Sequence, residues 1–135
     1  MNGADAAARR WLAKAENDLL NIRNNLHAAL IPWDTVCFHA QQAAEKYLKA
    51  FLVAQGALPP RSHDLIALLA LCVEFTPDLT ALETSCRSLA YFGTASRYPD
   101  DIYEPDEEDG RQAFAASLRV QQLILTHLPR SPDPA

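Results

Sequence analysis

Leu12, Ala15, Leu19, Ile22 and Leu26 return every three or four residues, a spacing that puts them on one side of an α-helix. Val36, Ala40, Ala43, Tyr47, Leu48 and Phe51 repeat the pattern, as do Leu79, Leu82, Cys86 and Leu89, and then Ala113, Ser117, Val120, Ile124 and Leu128. A helix with one apolar stripe must bury it against another helix. Only four glycines occur, the prolines fall between the periodic segments, and no alternating strand pattern or internal repeat interrupts them. The expected fold is all-α: an antiparallel up-and-down bundle of about five helices spanning residues 1–128. The tail PRSPDPA, residues 129–135, has three prolines in seven positions and is expected to be disordered.

Local signals place the boundaries. The first helix is expected from about Asp5 to His27. IPWD breaks the chain, and Asp34 is a good N-cap for a second helix that ends near Gly56. Glu45 and Lys49 form an i,i+4 pair in the favourable order on the less apolar side of that helix. After the extended LPPR, Ser62 can cap a third helix from His63 to about Glu74, which is apolar almost all round and so belongs in the middle of the bundle. Thr76-Pro77 is a cap followed by proline at the first helical position and begins a fourth helix. Asp106 caps the last one, with acids in its first turn that suit the helix dipole.

With 135 residues, 49% of them hydrophobic, the chain is in the single-domain range and buries roughly two thirds of its unfolded surface without a metal or disulfide. The three cysteines, Cys37, Cys72 and Cys86, are far apart and read as small core residues in a reducing compartment. The start MNGADAAARRW has no apolar signal core, and the longest apolar run, Leu65 to Val73, is nine residues, whereas a membrane-spanning helix needs ~20. The expectation is a soluble cytoplasmic protein with no membrane association.

The net charge of −5 is unevenly placed. Asp100, Asp101, Glu104, Asp106, Glu107, Glu108 and Asp109 account for seven of the 17 acids, leaving 10 against 12 Lys and Arg elsewhere. This excludes a general nucleic-acid coat, which needs clustered positive charge, but leaves room for a local basic patch or one assembled by a dimer. The acid run could hold Mg²⁺, yet four of its members sit at a helix start, where capping and the dipole account for them. No Gly-rich phosphate loop, HExxH or G-x-S-x-G motif is present. No metal or other cofactor is expected.

The second helix contains CFHAQQAAEKYLKAFL, followed by SHDL and then by SRYP. Together, from about Trp11 to Leu128, these stretches resemble the HEPN domain family, with FHAQQAAEKYLKA as the most specific part. The resemblance implies a helical bundle, often a homodimer, frequently encoded beside a minimal nucleotidyltransferase partner. It also implies kinship with metal-independent ribonucleases of toxin–antitoxin or defence systems. Those use an arginine followed four to six residues later by a histidine, with two sites facing each other across a dimer. Arg97 matches the arginine, while Ile102, Tyr103 and Glu104 stand where the histidine would be. None of the three moves a proton near neutral pH as imidazole does. The resemblance therefore favours a nucleotide- or nucleic-acid-binding module, with an RNA-cleaving toxin and a purely structural helical adaptor as alternatives.

The candidate site residues are Arg97, Tyr98, His63, Lys46 and Lys49. Arg97, at a helix end, either ties down its loop or offers the planar, bidentate donors that suit phosphate. Tyr98 and Tyr103 either stack on a base or fold back on the bundle. His63 either accompanies a capping interaction of Ser62 or Asp64, or stands near Arg97 in space and takes the part of the missing histidine as a catalytic group. His39, beside an apolar stripe, reads as a satisfied, half-buried histidine. Gln41, Gln42, Lys46 and Lys49 read first as a solvated face and second as a dimer or ligand surface.

Overall fold

The apolar stripes close on one another as five α-helices in the computed structural model of the protein, which describes residues 3–95 and 104–128. They are α1 (Gly3–Leu26), α2 (Trp33–Ala54), α3 (Leu65–Phe75), α4 (Glu83–Ala95) and α5 (Glu107–His127), with a 3-10 helix at Pro77–Leu82 between α3 and α4. The all-α bundle is the expected one, and no strand occurs among the described residues. The tail 129–135 lies outside the described residues.

α2 is the central element and packs on each of the other four helices. Ala40, Ala43, Ala44 and Ala50 are fully buried, so neighbouring backbones can approach closely, while Tyr47, Leu48 and Phe51 fill the space between them. α1 contributes Ala15, Leu19 and Ile22 to this core, and α5 contributes Ala113, Ala116, Val120 and Ile124. Burying each of the larger aliphatic side chains is worth about 1.5–3 kcal/mol.

The third helix is not in the middle, as its composition suggested. α3 turns Leu65, Leu68, Leu69 and Cys72 inward against α2, α4 and the 3-10 helix, and leaves Leu71 and Phe75 36% and 48% exposed. Its outer face also carries the exposed Ala67, Ala70 and Glu74. Small residues made that helix look apolar all round, but they bury little area and do not demand a partner.

The caps differ in detail. α3 begins at Leu65, and its N-cap is Asp64, whose carboxylate accepts from the Ile66 and Ala67 amides at 3.0 and 3.2 Å. Ser62, the expected cap, instead accepts the Asp64 amide at 3.1 Å, one step upstream. α2 starts at Trp33 with Pro32 as N-cap and no side-chain cap bond; Asp34 falls inside the first turn and accepts from the Thr35 amide. The segment expected to be one helix from Pro77 splits. Thr80 Oγ1 donates to the Pro77 carbonyl at 2.8 Å within the 3-10 turns, and the α-helix begins only at Glu83. The Asp106 cap of α5 is as expected: Asp106 accepts the Asp109 amide at 2.9 Å and Asp109 returns the bond at 3.1 Å. Gly56, at φ +81°, occupies the left-handed position just past α2 that ends helices at low cost.

Candidate functional site

Residues 39, 42, 46 and 49 recur every three or four positions and line one side of α2, with Glu45 beside them. On α1, Trp11 and Asp18 are two turns apart and so share a face. The α1–α2 packing brings these two faces together and creates a polar seam at the edge of the core.

At one end of the seam Asp18, 8% exposed, takes two partners. His39 Nδ1 lies 2.8 Å from Oδ1, and Lys46 Nζ donates to Oδ2 at 2.5 Å. His39 is half-buried and satisfied, as its sequence context suggested, and its ring meets Phe38 edge-on with centroids 5.3 Å apart. At the other end Glu45, 4% exposed, does the same: Lys49 Nζ donates to Oε2 at 3.1 Å and His63 Nδ1 lies 2.8 Å from Oε1. Lys49 Nζ also sits 5.4 Å from the centroid of the Trp11 ring, a cation–π contact that helps a buried ammonium. Each end is thus one buried carboxylate shared by a lysine and a histidine. With both histidines neutral the two ends carry no net charge, because each lysine offsets one acid.

A third polar link runs across the bundle from α1 to α5. The buried Tyr47 hydroxyl donates to Glu16 Oε1, and Gln121 Nε2 donates at 3.0 Å to both Glu16 Oε1 and the Tyr47 oxygen. Burial, together with the bond to the Glu16 carboxylate, holds the phenol well above its ordinary range. Tyr47 is therefore a neutral donor tying three helices together.

Three of the expected site residues lie on this seam. Lys46 is half-buried on Asp18, Lys49 is buried on Glu45, and His63 shares Glu45 with Lys49 while remaining 71% exposed. Lys49 is therefore not on a solvated face. The Glu45–Lys49 pair forms as its spacing implied, but inside the protein. Arg97 and Tyr98 lie outside the described residues, as do Ile102 and Tyr103. The SHDL stretch has four separate tasks: Ser62 braces the cap, His63 meets Glu45, Asp64 caps α3, and Leu65 is fully buried.

Sequence reasoning missed Asp18, Glu16 and Gln121. Asp18 had a signal, since it falls within the inward stripe of α1 between Ala15 and Ile22, where an acid needs a buried partner. Glu16 and Gln121 are 105 positions apart in the chain and had none. Among the described residues no group of His, Cys, Asp and Glu could hold a metal ion, and no helix is long and apolar enough to cross a membrane. Cys37, Cys72 and Cys86 are buried free thiols.

A family profile described as the HEPN domain matches residues 8–127. Human sacsin is 28% identical over 123 residues, which cover 89% of this chain but 3% of sacsin's length. The crystal structure of an archaeal HEPN homologue superposes with a TM-score of 0.72 and 26% identity, covering 90% of this chain and 98% of that one.

Proposed function

The chain belongs to the HEPN domain family, and from that premise we propose that it is a nucleotide- or nucleic-acid-binding module. It works as a homodimer with a minimal nucleotidyltransferase partner, in a toxin–antitoxin or defence-like setting. The observation that carries this reading is His63, an exposed imidazole held at 2.8 Å by a buried carboxylate at the end of a seam that also presents Lys46. A histidine held in this way is a directed hydrogen-bonding group at the surface. Arg97 supplies the guanidinium, whose planar fork suits phosphate, and Tyr98 offers a face for a base.

Isothermal titration of the protein with a panel of nucleotides and short RNAs tests the reading. A charge-assisted bond to phosphate is worth on the order of 1.5–3 kcal/mol, so Arg97→Ala weakens binding about tenfold to a hundredfold while leaving the melting temperature in place. Lysine at that position restores the loss only in part, because it lacks the fork. A destabilised Arg97→Ala variant with unaltered affinity makes the SRYP stretch a braced linker and sinks the reading. Light scattering that finds only monomer at micromolar concentration counts against the dimer.

The Glu45–His63 pair also favours a second reading, a metal-independent endoribonuclease in which His63 is the proton-transfer group that the sequence after Arg97 lacks. RNA cleavage that persists in chelator and is lost in both Arg97→Ala and His63→Gln would promote it over the first.

A further inference from the structure

His63 is pinned on both sides along the backbone. Ser62 Oγ accepts the Asp64 amide at 3.1 Å, and the Asp64 carboxylate is committed to the first two amides of α3. Its ring is fixed as well, because Nδ1 lies 2.8 Å from Glu45 Oε1. The other Glu45 oxygen accepts from Lys49 at 3.1 Å, so the carboxylate meets both of its neighbours as an acceptor. The hydrogen in the His63–Glu45 bond therefore belongs to Nδ1. With the side chain 71% exposed, the far nitrogen, Nε2, faces out.

We propose that Glu45 is a positioning residue for His63: it selects the Nδ1–H tautomer and turns Nε2 outward as the atom that meets the ligand. Neutral, Nε2 accepts from a ribose hydroxyl. Once protonated there, the ring donates to a phosphate oxygen while Glu45 holds the other N–H. Lys49 and Trp11 act one layer further back, the first neutralising Glu45 and the second covering Lys49. The nature of the ligand rests on the binding reading above, whereas the tautomer does not.

Two-bond ¹⁵N–¹H correlation spectra of the ¹⁵N-labelled protein, taken where its histidines are neutral, report each ring's tautomer. The His63 signal is the one that His63→Gln removes. It is expected to be the Nδ1–H form, and Glu45→Met is expected to return it to the Nε2–H form that free neutral histidine prefers. If Glu45→Met fails to fold because it strands Lys49, the double variant Glu45→Met/Lys49→Met removes both charges of the pair and serves in its place. An Nε2–H signal in the parent protein, or a tautomer unmoved in the variant, overturns the proposal. Titration with ATP on the same samples is expected to show binding weakened roughly tenfold in the variant. If neither ATP nor short RNA binds the parent protein while the tautomer behaves as described, the binding reading fails and takes the ligand role of Nε2 with it, while the selection of the tautomer by Glu45 stands.

Discussion

Gly110 faces Trp33 across the α5–α2 contact so closely that a Cβ on the glycine would come within 3.1 Å of Cζ3 and nearer still to Cε3. The Arg111 guanidinium, on the next position of α5, lies 5.3 Å from the centroid of the same ring. Glycine inside a helix costs about 1 kcal/mol relative to alanine. The chain accepts that cost here because the first turn of α5 then packs directly on the aromatic ring that opens α2.

Gly110→Ala sets the ~1 kcal/mol of helix propensity against an overpacking cost of typically 1–3 kcal/mol. The expected net result is a loss of about 1 kcal/mol and a melting temperature lower by several degrees. A thermal melt checks it; an alanine variant that melts higher would mean that the Trp33 ring relaxes without penalty.

Asp18→Asn removes the charge that both His39 and Lys46 lean on. Severing a fully buried pair costs about 3–5 kcal/mol. Here His39 and Lys46 keep 21% and 22% of their side-chain exposure and can turn toward water, so the loss is smaller. We expect about 1–3 kcal/mol in urea unfolding, with part of it recovered by Asp18→Asn/Lys46→Met, since removing the lysine leaves no stranded cation. Equal losses in the single and double variants would show that Lys46 is not what Asp18 stabilises.

The three thiols set an alkaline limit. Burial pushes Cys37, Cys72 and Cys86 each up to about 12, with nearby acids, Asp109 first, adding to the effect at Cys37. Unfolded cysteine ionises near 9. Between these values the unfolded chain holds fewer protons than the native one, so stability falls as pH rises through that window. Below it the thiols make no difference. Urea midpoints at pH 8 and pH 10 are expected to drop at the higher value, and replacing all three cysteines with alanine should flatten the slope whatever it does to the absolute midpoint. A slope unchanged in that variant would remove the thiols as its cause. In the native protein at pH 8 the thiols should also resist alkylation, since thiolate is the reactive form.

The bundle and most of its punctuation are legible in the sequence, because helix stripes, the Asp106 capping box and the glycine after α2 are local features: each depends on residues within a turn or two of one another. The family's α2 and SHDL stretches are legible too, as is the satisfied state of His39. Where local rules compete, the sequence alone misplaces a boundary, as at Ser62 and Asp64, where either side chain could cap and the one adjacent to Leu65 does.

The choice of central helix is of a different kind. Composition favoured α3, but the centre is the helix that can be approached from every side, and the alanines of α2 allow that without leaving a void. The seam follows from the same packing. Asp18 meets Lys46 across 28 positions and Glu45 meets His63 across 18, in pairings that no periodicity encodes. Glu45 and Lys49 show the difference most plainly. Their spacing determined that they would touch, but only the α1–α2 contact, which brings Trp11 over the lysine, decided that they would do so out of water. An i,i+4 pair on a solvated face is worth a few tenths of a kcal/mol. Buried, it is bound to its neighbours, because each charge has lost its hydration and must be satisfied by what tertiary structure places beside it.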